Sequence, residues 1–216
     1  MDGAVKITDI TVTKKGRYAL FCDGEFQFSL DEETYLKSGV KIGAEMTPGE
    51  LQALRAASDY AAAKNKALDY LAYRDHTEKE LRGKLARKFD PETGAQAVSR
   101  MRELGLVDDA AYAEKLAEEL IVRRFCSKRA AAAKLYEKGV DRQTVAETLA
   151  VYDDDEQPSI RAVVERKYAQ KLGDPAKRAA VFAALARLGF RSGDIRAVLG
   201  EYAADREAEF PFDPEG

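Results

Sequence analysis

The chain repeats itself. "TEKELRGKLARKF" from Thr77, "SKRAAAAKLYEKGV" from Ser127 and "KRAAVFAALARLGF" from Lys177 align at steps of 50 residues. Leu85, Leu135 and Leu185 then coincide, as do Thr77, Ser127 and Lys177; Gly139-Val140 matches Gly189-Phe190, and Val145 and Leu149 match Ile195 and Leu199. A period of this length marks an array of supersecondary units rather than one continuous core. Each copy reads as three helices, with apolar residues three or four apart along one face. The first helix carries Leu68 and Leu71, then Leu116 and Leu120, then Val163, Val164 and Tyr168. The second carries Leu81 and Leu85, Leu135, or Leu185. After a turn, made by Asp90-Pro91 in the first copy and by glycine in the others, the third carries Val98, Met101 and Leu104, Val145 and Leu149, or Ile195 and Leu199. The predicted class is therefore mainly α: three tandem three-helix units in an elongated array, over residues 61–109, 110–157 and 158–206. One such unit buries little alone, so neighbours are expected to stack or dock.

Residues 1–60 have a different pattern. "VKITDITVT" alternates apolar and polar residues with one slip in register, and "RYALFCDGEFQFSL" places β-type residues on both sides of Asp23-Gly24, a strong hairpin signal. Two or three strands are predicted there. A short helix follows from Asp31, a capping carboxylate, to Ser38, and Gly39 ends it. Another starts at Thr47, with Pro48 in its first turn. So small a ribbon is expected to pack on the helical segment C-terminal to it. At the other end, residues 207–216 read as a tail whose two phenylalanines either fray or dock back.

Composition narrows the function. No stretch approaches the roughly 18–20 apolar residues of a membrane span, and "MDGAVKITDI" lacks a basic-then-apolar leader, so a cytoplasmic protein without membrane contact is expected. Cys22 and Cys126 lie far apart without metal-like spacing and read as reduced, small apolar residues. His76, the only histidine, stands among charged residues and is expected to face solvent. A P-loop, a glycine-rich dinucleotide turn and a nucleophile with a base partner are all missing, so no catalytic residue, metal or cofactor is expected and the chain reads as non-enzymatic. "DDDE" at 153–156, ahead of Pro158, reads as a solvated linker.

The net charge of −3 hides an asymmetry. Residues 64–138 carry 17 Lys and Arg against 13 Asp and Glu, whereas both flanks are acidic. Such asymmetry bears on partners. In the first repeat Thr77 and Glu80 form a capping-box pattern ahead of Leu81 and Leu85, and these four residues explain the helix junction structurally. Arg74, Lys79, Arg82, Lys84, Arg87 and Lys88 ring the same helix. Lys79, Lys128 with Arg129, and Lys177 with Arg178 each fall in the first turn of the equivalent helix, where a cation opposes the helix dipole. An unfavourable placement made three times points to an anionic partner or an acidic protein face. Arg123, Arg124, Lys128 and Arg129, followed by Lys134, form the densest basic stretch. Phe125 is the one aromatic among them, which favours salt-sensitive phosphate contact over base stacking. Asp108 and Asp109 precede a helix and suit its start, while Leu135 and Gly139 mark the core and end of another.

"YLAYRDHTEKELRGKL", "MRELGLVDDAAYAEKLAEEL" and "AAAKLYEKGVDRQTVAETL" resemble the RecX family of bacterial regulators of the recombinase RecA. The shared features are the stretch from Leu71 to Leu81, the Gly105–Asp109 joint and the turn from Leu135 to Val140. The resemblance is best over residues 64–150, weaker in the third unit, and extends to the strand-bearing head of longer family members. One departure is "RRFCSKR", where many members have a glycine before the second helix of the second unit; here that turn must be made without glycine. The resemblance implies binding to RecA on its DNA filament; repeats that already bury one another point to a monomer, and the modest basic charge to weak DNA contact through phosphates. It further implies restraint of recombination and ATP hydrolysis in DNA repair and the SOS response. The alternative left open is a tandem helix-turn-helix-like protein that binds duplex DNA directly.

Overall fold

A computed structural model of the chain describes residues 3–172 and 174–209, apart from the side chains of residues 175, 176 and 203–209. The phenylalanines of the tail lie outside the described residues. The chain divides after Asp108 into two compact units.

The first unit opens with a four-stranded antiparallel sheet of β1 (Val5–Val12), β2 (Tyr18–Cys22), β3 (Glu25–Leu30) and β4 (Glu45–Met46), in the order β3-β2-β1-β4. Asp23 and Gly24 form the hairpin turn with φ of 49° and 85°, the paired positive angles that match the twist of the flanking strands. The slip read from the sequence is a bulge at Thr8, between the pairs Ile7–Cys22 and Asp9–Phe21. Its hydroxyl donates to the Phe21 carbonyl at 3.2 Å and accepts from the Gly24 N–H at 3.0 Å. The two-residue β4, too short to show a period, is an addition to the strands expected.

Helix α1 (Glu32–Ser38) is capped by Asp31, whose carboxylate accepts from the Thr34 N–H, and ends at Gly39 with φ 64°. Helix α2 (Pro48–Tyr73) is fixed at its start by a complete capping box between Thr47 and Glu50. It runs unbroken through residues 60 and 61, where the sequence pattern suggested a boundary; "SDYAAAKNKAL" contains no residue that would stop it. Its first half packs Leu54 on Ile7, Leu20, Cys22 and Leu30 of the sheet. Buried Ser58 donates to the Asp31 carboxylate at 3.2 Å and accepts from Arg17, tying helix to sheet.

The second half of α2 joins α3 (Glu78–Leu85) and α4 (Pro91–Glu103) in the first repeat, whose core is Ala63, Ala67, Leu81, Leu85, Ala97, Val98, Met101 and Val107. Expected core residues Leu68 and Leu104 are instead 39% and 49% exposed. Alanines take the buried stripe because small side chains let the helices approach closely. Asp90 caps α4 by accepting from the Thr93 N–H.

In the second unit, α5 (Asp109–Glu118), a π-helical turn (Glu119–Arg123), α6 (Lys128–Lys138) and α7 (Arg142–Leu149) enclose Ala113, Ala117, Ala131, Leu135, Val140, Val145 and Leu149. Alanine again lines the first helix, with Leu116 and Leu120 only partly buried beside it. Helix α8 (Gln157–Tyr168), a single 3-10 turn, α9 (Pro175–Arg187) and α10 (Ser192–Glu209) form the third core around Ile160, Val163, Val164, Leu185, Phe190 and Ile195. Each repeat thus closes its own core. The period is visible in three dimensions: Leu85, Leu135 and Leu185 are each 0% exposed.

Candidate functional site

In the first repeat the junction between α2 and α3 organises the expected cations. The Thr77 hydroxyl, fully buried, accepts from the Glu80 N–H at 3.2 Å and fixes the helix start. The Glu80 carboxylate receives the Arg74 guanidinium at 3.0 and 3.3 Å and lies 3.4 Å from Nδ1 of His76. His76 is not solvated, contrary to the sequence expectation; it is 3% exposed, with its ring edge-on to Tyr70 at 6.3 Å. Burial, aided by the Arg74 charge, pushes its pKa below the ordinary histidine value. The aromatic face of Tyr70 and the Glu80 carboxylate supply the partners that a lone sequence position could not reveal.

Arg82 pairs with Glu78 at 2.5 Å one turn away, and the Lys84 ammonium sits 4.7 Å from the centre of the Tyr70 ring. Lys79, Arg87 and Lys88 point outward. The six cations therefore divide. Arg74, Arg82 and Lys84 brace the junction, while Lys79, Arg87 and Lys88 remain at the surface.

The second basic stretch divides in the same way. Arg123 and Arg124 are exposed and reach back to Glu118 at 3.2 Å and Glu119 at 2.5 Å; Lys134 pairs with Glu137 at 2.8 Å. The turn after them is made by Phe125 at φ 58°, a left-handed conformation costly for a side chain of this size. Its ring packs against the third repeat's core, with Arg166 and Lys167 over it at 5.5 and 5.7 Å. That burial holds the turn without glycine.

Lys128 and Arg129 serve the joint between the second and third repeats. The Ser127 N–H donates to the Leu188 carbonyl at 2.9 Å, and the Arg129 guanidinium donates to the Gly189 carbonyl at 3.0 and 3.3 Å. A backbone N–H and a cation at the start of α6 thus satisfy two carbonyls just past the end of α9. The Lys128 N–H donates to the Glu156 carboxylate at 2.5 Å, and its ammonium donates to the Tyr152 carbonyl at 2.8 Å and the Asp154 carboxylate at 2.6 Å. Residues 153–155 are exposed, as in a solvated linker, yet the segment is also tied to Lys128, whose ammonium draws the Asp154 pKa down. In the third repeat Arg178 donates to the Leu172 carbonyl at 2.6 Å and Lys177 pairs with Asp174 at 3.5 Å. First-turn cations in the second and third repeats therefore have partners within the chain, which the sequence alone did not disclose.

Gly189 makes the joint possible. Its φ is 95°, and a Cβ there would overlap the Ser127 hydroxyl and lie 2.6 Å from that of Ala130. Asp109 occupies the first turn of α5, with Asp108 just ahead, and Gly139 ends α6 at φ 93°. Among the described residues no three His, Cys, Asp or Glu side chains gather as metal ligands, and no helix is long and apolar enough to cross a membrane.

A strand-bearing head followed by tandem three-helix units, with surface and structural cations interleaved, defines a mainly α repeat protein. The RecX N-terminal domain matches residues 5–47, the first RecX three-helix domain residues 63–101, and the second residues 108–149. The chain belongs to the RecX family. It is 30% identical over 204 residues to the regulatory protein RecX of Staphylococcus aureus, covering 91% of this chain and 74% of that one. To the RecX protein of Clostridioides difficile it is 30% identical over 151 residues, 69% of this chain and 71% of the other. Identity to the Levilactobacillus brevis protein is 35% over 167 residues, covering 76% of this chain and 63% of that relative. The match to the Listeria welshimeri protein spans 58% of its length, so some relatives extend well beyond the aligned portion. A crystal structure of regulatory protein RecX shares the fold at a TM-score of 0.65, with 23% identity, over 91% of this chain and 99% of that one. The crystal structure of RecX from Lactobacillus salivarius does so at 0.58, with 22% identity, over 68% and 99%.

Proposed function

We propose that this chain binds the recombinase RecA on its DNA filament and restrains strand exchange and ATP hydrolysis, without catalysing a reaction itself. The observation that carries the reading is the RecX match across the head and the first two repeats. Lys79, Arg87, Lys88, Arg123 and Arg124 are the cations we assign to partner contact, because they are exposed and are not needed to close a core or joint. The glutamate pairs of Arg123 and Arg124 are exposed on both sides and cost little to exchange, surface pairs being worth about 0–1 kcal/mol. Repeats that each offer a few such contacts gain avidity on a polymer through effective concentration. DNA phosphates add a salt-sensitive contribution that is weak by itself.

The test is a titration into preformed RecA filaments on single-stranded DNA at two salt concentrations, following DNA-dependent ATP hydrolysis. The wild-type chain lowers the rate below stoichiometry. Reversing Lys79, Arg87 and Lys88, or Arg123 and Arg124, to glutamate raises the amount needed by about tenfold or more, a loss of ~1.4 kcal/mol. Unchanged hydrolysis alongside tight, steeply salt-dependent binding to duplex DNA would replace this reading with a direct DNA binder.

A further inference from the structure

The joint between the second and third repeats contains an open groove of about 510 Å³, lined by Lys128, Arg129 and Arg191 and by Asp154, Glu156 and Asp194. Its cations come from two repeats: two from the start of α6 and one from the residue before α10. The two sides of its ion pair are not held equally. The Lys128 side chain is 22% exposed and also bonded to the Tyr152 carbonyl, whereas Asp154 is 95% exposed. Arg129 is anchored on the Gly189 carbonyl, independently of the acidic segment. Asp153 accepts from the Asp155 N–H, and Asp155 from the N–H of Gln157, the first residue of α8. Lys128 and Arg129 are therefore fixed by the fold with Arg191 exposed beside them, and Asp154, the most exposed carboxylate across them, is the part most readily replaced.

We propose that the acidic segment Asp153–Glu156 is an internal competitor for nucleic-acid phosphates, covering Lys128, Arg129 and Arg191 until a polyanion displaces Asp154 and Glu156. A phosphate oxygen accepts from the Lys128 N–H and ammonium as the carboxylates do, and one strand supplies several phosphates to the same groove. Displacement also frees the linker's negative charge to move away from the bound strand, so the segment sets a threshold for binding rather than abolishing it. This goes beyond the recombinase reading, since it concerns DNA contact by the chain alone, and either can fail without the other.

The experiment measures fluorescence anisotropy of a fluorescein-labelled single-stranded oligonucleotide with the full chain, without recombinase, across a salt series. Asp154→Asn with Glu156→Gln keeps the shapes and removes two charges; affinity rises about fivefold to tenfold at low salt, with a steeper salt slope. Adding Arg191→Gln removes most of that gain. Glu25→Gln with Glu32→Gln, an equal charge change in the other unit, gives a much smaller one. Should the double variant lose helical circular dichroism, Asp154→Asn alone carries the test through its exposed side chain, with about a twofold to threefold gain expected. An unchanged affinity, a gain equalled by the charge-matched control, or one that survives Arg191→Gln overturns the proposal.

Discussion

Replacing Gly189 with alanine tests the joint between the last two repeats. At φ 95° any side chain is strained, at a cost of about 1–2 kcal/mol. The added methyl group also overlaps the Ser127 hydroxyl and sits 2.6 Å from the Ala130 Cβ. Relieving those overlaps costs about 1–3 kcal/mol. It also shifts the hydroxyl that caps α6, a contact worth about 1 kcal/mol. A loss of about 3–6 kcal/mol results, large beside the ~5–15 kcal/mol that stabilises an ordinary domain. Gly105→Ala is the matched control: φ is 69° with nothing within 4 Å of an added Cβ, so only the ~1–2 kcal/mol conformational cost applies. Urea unfolding of both variants, followed by far-ultraviolet circular dichroism and tyrosine fluorescence, compares them directly. Hydrogen exchange then locates the damage, which the structure assigns to α6, α8 and α9 for Gly189→Ala. If the two variants lose equal stability, or if exchange in α6 is unchanged, the close seating of the third repeat on the second is refuted.

Thr77→Ala removes a fully buried capping hydroxyl and costs about 1–2 kcal/mol in chemical unfolding, with faster exchange at the start of α3. Leu85→Ala and Leu185→Ala each cost about 2–5 kcal/mol. Their exchange signatures stay confined to α2–α4 and α8–α10 respectively, because the cores share no residue; a common signature would contradict that separation. His76 gives a signed pH dependence. Its folded pKa lies below the unfolded value of 6.5, so the unfolded chain binds more protons in between, and stability falls as pH drops from neutral through that window. Thermal melts of wild type and His76→Asn converge as the pH is lowered; parallel curves would show that the buried imidazole does not titrate with unfolding.

Periodic features were legible in the sequence. The coincidence of Leu85, Leu135 and Leu185 located the three cores, and Asp23-Gly24, Asp31, Thr47 and Gly39 marked the turn, caps and stop they form in the structure. Pairings between distant positions were not legible. Alanines at 63, 67, 113 and 117 do not announce a core because they are apolar without being large, yet their size lets the helices close. Charge at a helix start looks identical whether its partner is solvent or a carbonyl 60 residues away, as for Arg129 and Gly189. His76 was misread for the same reason, since its neighbours in sequence are charged and its neighbours in space are Tyr70 and Glu80.

Helix α2 contributes Leu54 to the sheet's core and Ala63 and Ala67 to the first repeat's core along one unbroken spiral. Inserting or deleting a single residue between those positions would turn everything downstream by about 100° and slide it by ~1.5 Å. Leu54 and Ala63 could not then both face inward. Length variation among related chains should therefore spare this stretch and accumulate in segments such as the turn after β1, where an extra residue changes no helical phase. The helix acts as a ruler that ties the reading frame of the head to that of the repeats.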